Sequence, residues 1–416
     1  MIIPTRKPIV AALSAFLLAG AAGASAQAML EEVMVTAQKR AQSLQDVPIS
    51  VNAVGGDKLA DSGIEKLEDM TAYVPNLSMS ETGIGTQIFI RGIGSGINQG
   101  FEQSVGQYVD GIYYGRAQLS RAPFFDLERI EVLRGPQGIL FGKNSIAGAL
   151  SMITAKPTDD LEMELSGTYE PEYNTREVTA MISGPITDTV AGRLAVRSSK
   201  TDGYLENTVL NRDEPNRDEQ AIRATVSWDV TDSLDVTVKA EHDIFDVKGR
   251  QIEIVKELDA LPGALGGLFG NTYGAAISTL SGGNALLTDS VADGKRHANI
   301  EEYSENSVDN LTVTANYSLG ENTLTLVSGW ASYEYEEVCD CDFTGADIFG
   351  LTTNEEYEQF SQEVRIVSPG GETVDWIVGA FYNEFKLDSL ALEFTPGFDQ
   401  WAVDNLGGVQ LRPDSL

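Results

Sequence analysis

Few side chains among the 416 residues could do chemistry of their own. Cys339 and Cys341, in VCDCDF, could close a local disulfide, stay as surface thiols, or hold a soft metal with Asp340 and Asp342. Two cysteines alone make an incomplete metal site, so no metal ligands are expected. His242 and His297 are the only histidines, and neither sits in a Ser-x-Gly context or at metal spacing. Both read as solvated polar residues. Gly142-Lys143 ends a glycine-rich run like a phosphate loop, but Gln137 stands where that loop needs glycine and Asn144 where it needs Ser or Thr. Carboxylates are plentiful, yet on a wet face or in loops they are ordinarily just solvated. The expectation is no enzyme and no cofactor.

The elements that carry these residues are mostly strands. From Thr158 onward apolar and polar residues alternate with period two: Leu161, Met163 and Leu165 against Glu162, Glu164 and Ser166. Leu194 and Val196 alternate with Arg193, Ala195 and Arg197. Ile222, Ala224, Val226 and Trp228 alternate with Arg223, Thr225 and Ser227, and Leu234, Val236, Val238 and Ala240 with Asp235, Thr237, Lys239 and Glu241. The same holds for residues 311–317, 324–330, 364–367 and 374–382. A soluble sandwich would turn the apolar face to a second sheet, whereas a membrane barrel would turn it to lipid and the charged face to a wet lumen. Connection lengths separate the two. Short links near 184–189, 231–233, 319–322 and 368–372 alternate with long polar ones near 201–219, 247–310 and 336–356, as inner turns and outer loops of a barrel do. The link near 170–174 is short on the outer side and is the exception.

Composition fits that setting. With 29 basic and 62 acidic residues the formal charge is −33, which repels nucleic acid. Arg6 and Lys7, an apolar run over 9–20 and Ala24-Ser25-Ala26 form a signal peptide, residues 1–26, whose apolar run is too short to cross ~30 Å of hydrocarbon. An extended lead follows over 27–46, a compact block over 47–157, and the strand-rich region over 158–416. Within the block, residues 56–73 read as a helix with Leu59, Ile64, Leu67 and Met70 toward one side, and 87–91 as a strand. About nine strands can be counted in the last region, where a plugged outer-membrane barrel has about 22, so the barrel is expected to be partial.

The motifs narrow this further. FFDLERIEVLRGPQGILFGKNSIAGALSMITAKP at 124–157, IFIRGIG at 88–94 and YVDGIYYGR at 108–116 together closely resemble the plug domain of TonB-dependent outer-membrane receptors. EEVMVTAQKR at 31–40 is similar to the TonB box of that family, and SGPITDTVAGRLAVRSSKTDGYLEN at 183–207 to its early barrel strands. The resemblance implies a membrane β-barrel of antiparallel strands with an N-terminal α/β plug domain, in the outer membrane of a Gram-negative bacterium. It implies lipid and lipopolysaccharide around the barrel, and TonB with its inner-membrane energising complex as partner. The implied cargo is a ferric siderophore, with cobalamin, haem, nickel chelates or glycans as alternatives. A passive porin or a structural adhesin barrel would need neither plug nor box.

The resemblance also implies site residues. The box is Glu32, Val33, Met34, Val35, Thr36 and Ala37, an extended arm expected to be mobile and dispensable for folding. Arg91 and Arg134 of the plug motifs are expected to meet barrel carboxylates, Glu363 pairing with Arg134 or with Arg91. Plug apices would touch ligand through Ser95, Asn98, Gln99, Phe101, Gln103, Tyr114, Arg116 and Arg121. Arginine placed at Val226, on the lipid face, should be costly, and at Thr225, on the lumen face, milder.

Overall fold

The computed structural model describes residues 34–36, 38–64, 66–81, 86–96, 102–119, 125–257, 272–282, 291–371 and 373–394. The signal segment therefore lies outside the described residues, as do Glu32, Val33, Ala37, Asn98, Gln99, Phe101 and Arg121. A short antiparallel pair comes first among the described residues, β1 (Met34–Val35) against β2 (Gln42–Ser43). β3 (Val51–Gly55) runs into α1 (Gly56–Asp61), and a 3-10 helix follows over Leu67–Ala72. The single helix expected over 56–73 is thus two pieces. Gly63, at φ 62°, turns the chain between them, as a residue without Cβ can. The apolar side is as read: Leu59, Ile64, Leu67 and Met70 are all buried.

Next come β4 (Leu77–Glu81), β5 (Thr86–Ile90) and β6 (Ile93–Gly94), an antiparallel three-stranded sheet. β7 (Val105–Val109) and β8 (Ile112–Tyr114) form a hairpin on Asp110 and Gly111, both at positive φ, the backbone a two-residue turn requires. β9 (Leu127–Arg134), α2 (Gly138–Phe141) and β10 (Gly148–Thr154) complete the block. Its central sheet has the order β3-β9-β10-β7-β8, with β10 and β7 parallel and the other neighbours antiparallel. Ile130, Val132 and Leu150 at its centre join Leu59, Met70, Ile88 and Ile90 in one apolar core.

The wall follows. β11 (Glu162–Glu170), β12 (Thr175–Thr187) and β13 (Val190–Thr201) come first, and the loop after them holds β14 (Leu205–Asn207) and β15 (Arg212–Glu214). β16 (Asn216–Thr231) and β17 (Leu234–Lys248) are next, then a long loop with α3 (Tyr273–Leu280) and β18 (Lys295–Arg296). β19 (Tyr303–Leu319), β20 (Asn322–Asp340), β21 (Gly350–Val367) and β22 (Ile377–Phe394) finish the sheet. Nine strands, β11-β12-β13-β16-β17-β19-β20-β21-β22, pair antiparallel with each nearest neighbour in sequence order. No helix among the described residues is long and apolar enough to cross a membrane.

Register assigns the two faces. Val226 lies opposite Val238, which lies opposite Val313; Leu311, Trp330 and Phe360 are in line across three strands, as are Ala315, Leu326 and Val364. Val226, Trp228, Leu311, Leu326, Phe360 and Val364 are exposed on the outward face. Toward the long loops the row turns polar, with Asp309, Ser332, Glu358 and Lys386 in register. The inward face differs from the wet lumen expected of it: Arg223, Thr225, Lys239 and Thr312 are each buried, because the plug packs there. Thr225 is therefore no mild site for arginine. The contrast that tests the belt lies on the outward face itself. Val226→Arg should cost ~2 to 4 kcal/mol when the protein refolds into bilayers, and Gln220→Arg, above the belt, ~0 to 1. Equal costs at the two positions would mean that the outward face does not meet hydrocarbon.

Candidate functional site

The plug is seated on the wall through charges that the strand alternation turns inward. Lys239 on β17 reaches the β7–β8 turn, its Nζ 2.6 Å from Asp110 Oδ2 and 3.5 Å from Glu241. Asp110 also accepts from Thr154 N and Oγ1, both at 2.9 Å. Burial alone would raise the Asp110 carboxyl, but Lys239 and the Thr154 amide hold it below the usual range. Arg223 on β16 pairs with Glu241 at 2.7 Å, donates to Phe125 O and Asp126 O, and lies 4.4 Å from the Phe125 ring centroid. Arg193 on β13 forks onto the Asp126 carboxylate, with Nε 2.9 and 3.0 Å from its oxygens.

A second group of contacts is neutral except at its outer end. Asn310 Nδ2 donates to Tyr114 Oη, Asn306 Nδ2 to Gln118 O, and Gln359 Nε2 to Tyr113 O. Gly329 on β20 leaves room for Ile112, since a Cβ there would run into its Cδ1. Arg116 donates to Tyr333 Oη at 3.3 Å and to Glu355 at 3.4 Å, and Tyr333 donates to the same carboxylate at 2.8 Å. These contacts correct the expectation for the apices. Ser95, Gln103, Tyr114 and Arg116 are all buried. Ser95 Oγ is held by Ser104 and Glu102 O inside the plug, while Tyr114 and Arg116 are used in docking against β19, β20 and β21. None of these four presents an open ligand surface.

The lock also differs from expectation. Glu363 is on the inward face of β21 but pairs with Lys39 at 3.2 Å and Arg365 at 2.7 Å, not with Arg134 or Arg91. Arg134 Nη1 instead donates to Pro75 O within the plug, and Gly135 lies beside the Arg91 guanidinium. The reason is position: the leading segment runs between the plug and this part of the wall and reaches Glu363 first. Burial lowers the Lys39 ammonium against the opposing pull of Glu363. Residues 34–36, the described part of the expected box, are not a free arm either. Val35 is fully buried, Thr36 N donates to Glu131 Oε1 at 2.8 Å, and Arg129 bonds both Glu131 and Thr36 Oγ1.

On the outer side the loops form a block around buried charges. Arg296 pairs with Glu214 at 2.7 Å and Glu302 at 2.5 Å, Arg250 with Glu302 at 3.0 Å and with Glu337, and Arg212 with Glu214. Cys339 and Cys341 are joined in a disulfide, and Cys339 is buried, so neither is a surface thiol. Asp342 accepts from the amides of Thr344, Ile348 and Phe349 and shapes the loop beyond. His242 pairs with Asp309 on the outward face, and His297 bonds Thr208 in the loops. Among the described residues no group of three His, Cys, Asp or Glu side chains is arranged to hold a metal ion.

Comparisons with known proteins agree with this architecture. Residues 43–149 match the family described as TonB-dependent Receptor Plug Domain. The pesticin receptor of Yersinia pestis is 28% identical over 187 residues, which are 42% of this chain and 26% of that protein. The vitamin B12 transporter BtuB of Vibrio vulnificus is 31% identical over 131 residues, covering 30% of this chain and 20% of that protein. Among solved structures, the ferric yersiniabactin uptake receptor FyuA from Yersinia pestis superposes with a TM-score of 0.68 at 18% identity, over 84% of this chain and 50% of that one. The ferripyoverdine receptor of Pseudomonas aeruginosa gives 0.66 at 15% identity, over 86% and 45%. The chain thus spans half or less of the length of these proteins.

Two measurements test the charge placements. Asp110→Asn leaves the buried Lys239 only Glu241, which Arg223 also engages, and should cost ~3 kcal/mol in urea unfolding, of which Lys239→Met in the same chain recovers a part. An unchanged midpoint would remove this pair as the seat of the plug. At the outer end of β20, burial, with repulsion from Asp342 and Glu302 against the Asn299 amide bond, pushes the Asp340 carboxyl up to about 8. The fold holds its neutral form, so that stability is full below the ordinary carboxyl range and lost as pH rises through about 8. Exchange of the Asn299 amide, corrected for intrinsic rate, should quicken from about pH 6 to about pH 9; a flat profile would contradict this.

Proposed function

We propose that this chain, whose residues 43–149 match the TonB-dependent Receptor Plug Domain family and whose fold is that of a ferric yersiniabactin uptake receptor, is a TonB-dependent receptor that serves active import of a scarce ligand across the outer membrane. The observation that carries this reading is the packed inward face. Plug groups, the Asp126 and Asp110 carboxylates and the Phe125 carbonyl, meet Arg193, Lys239 and Arg223, so passage along this wall requires work on the plug. Residues 27–46 would hold the coupling segment and linker, 47–157 the plug, and 158–416 barrel strands with outer loops, after a signal peptide at 1–26. The coupling segment is residues 32–37, and TonB with its inner-membrane complex would supply the pull, by adding a strand to it.

The cargo we infer is a ferric siderophore. The names of relatives support it: one is a ferric yersiniabactin uptake receptor, another an iron-regulated outer membrane virulence protein of Vibrio cholerae. Cobalamin, haem or a glycan would use the same device, and the vitamin B12 transporter is the relative that favours the first of these. The siderophore would itself ligate the iron, which requires no metal ligands from the protein.

Deleting residues 32–37 from the full receptor should leave ligand binding intact and reduce uptake to the passive background. Growth of the deletion strain on a panel of ferric chelates, cobalamin and glycans as limiting nutrients reads both the coupling and the cargo. Uptake at the unaltered rate after the deletion would remove energy coupling from the reading.

A further inference from the structure

The charges at the seat of the plug do not balance by cations alone. Lys239 and Arg223 are the described cations there, Arg193 being taken by Asp126. Three carboxyls face those two cations: Asp110, Glu241 and Asp243. Asp110 is held by Lys239 at 2.6 Å, and Glu241 by Arg223 at 2.7 Å and by Lys239 at 3.5 Å. Asp243 is left over. It is 2% exposed, its Oδ1 has no hydrogen-bond partner, and among the described residues no cation forms an ion pair with it.

Its one partner is Glu241, two residues earlier on the same face of β17, and the two carboxyls are hydrogen-bonded to each other. Such a bond needs a proton, because ionised carboxylates only accept. Arg223 and Lys239 keep Glu241 ionised, so the proton stays on Asp243. Burial and Glu241 beside it hold the Asp243 carboxyl well above the usual carboxylate range. The other groups around it bring no further cation. Directly across stand Ala221 on β16 and Val308 on β19. From the plug, Tyr114 on β8 faces the same three carboxyls and is bonded to Asn310. Further out on β16, Glu219 is engaged by Arg197 at 3.3 Å. On the outward side of β17, His242 pairs with Asp309 in the polar row above the hydrocarbon belt, so Asp243 lies above that belt as well.

We propose that Asp243 holds a proton as a structural part of the plug seat, and that parting the plug from β16 and β17 releases this proton to water. With the proton the seat is neutral, two cations against two carboxylates. Without it a third carboxylate is buried unpaired, which is the costly arrangement. Once water reaches Asp243, its carboxyl is an ordinary one and ionises at neutral pH: the O–H bond breaks, the electron pair stays on the carboxylate and the proton goes to solvent. The docked state therefore binds one proton more than the parted state. Its stability is full below the ordinary carboxylate range and is lost as pH rises toward the value at which Asp243 ionises in place. Acid surroundings hold the plug to this wall, and alkaline ones loosen it. The inference concerns docking alone and holds whatever ligand is carried.

Amide exchange in the β7–β8 hairpin, corrected for intrinsic rate, reads the parting of plug and wall in the full receptor held in ligand-free outer-membrane vesicles. From about pH 6 to about pH 8 it should quicken about tenfold per pH unit, the slope of one released proton. Asp243→Asn keeps the shape of the neutral acid and still donates to Glu241, so the hairpin should stay docked and the slope should vanish. Infrared spectra at about pH 7 give the second reading, in which the band of protonated carboxyls should be weaker by one group in Asp243→Asn than in the unaltered receptor. Both changes together are the expected result. A flat exchange profile in the unaltered receptor would overturn the inference without any variant. So would a slope that survives Asp243→Asn, or a carboxyl band that the substitution leaves unchanged. Neither measurement involves uptake, so the import reading stands or falls separately, by the deletion of residues 32–37.

Discussion

Everything in this structure answers to one electrostatic constraint. A sheet with one face in hydrocarbon turns its charged residues to the other, and here that other face is covered by protein rather than water. Each inward cation must then find a carboxylate or carbonyl within the dry interface, because an uncompensated charge there costs several kcal/mol (roughly 3 to 5). Arg193 finds Asp126, Lys239 finds Asp110 and Glu241, and Arg223 finds Glu241 with the Phe125 and Asp126 carbonyls. The plug has little choice of position, since sliding it along β17 would take Asp110 from Lys239 and leave that ammonium only Glu241, which Arg223 already engages.

The turns that deliver those carboxylates are part of the same constraint. Asp110 and Asp126 both sit at positive φ, 49° and 53°, in tight changes of chain direction that aim the side chain out of the plug. Asp tolerates that backbone better than most residues and brings the charge with it. Lengthening either turn would separate backbone geometry from charge placement. Docking therefore depends on local conformation as much as on ion pairing.

How much of this could be read in the sequence follows from the range of each signal. The period of two is local, so the nine strands, the outward belt of Val226, Trp228 and Leu311, and the inward set of Arg193, Arg223, Lys239 and Glu241 were all legible. Which plug residue each inward charge meets was not. Lys39 and Glu363 are 324 positions apart, and nothing along the chain marks them as partners before the leading segment is placed between plug and wall. The segment around Tyr114 and Arg116 carries the polar residues of a ligand-facing loop, but packing against β19, β20 and β21 turns them into docking contacts. A one-residue spacer left the cysteines undecided; in the fold they are joined at the outer end of β20. The helix over 56–73 was legible as an apolar side but not as two pieces, because Gly63 acts through φ and leaves the hydrophobic pattern unchanged.

The block of outer loops has a consequence for life outside the cell. Its pairs, Arg296 with Glu214 and Glu302, and Arg250 with Glu302 and Glu337, are almost wholly shielded from solvent. Mobile ions screen exposed charges over about 8 to 10 Å at ordinary ionic strength but act far less on pairs they cannot approach. A cell that passes from dilute to salty water would therefore change the reach of its surface charges without changing the shape of this part of its surface. The face shown to the surroundings would be tolerant of osmotic history, while the carboxylates along the outward rim, Asp309, Glu358 and their neighbours, would register it.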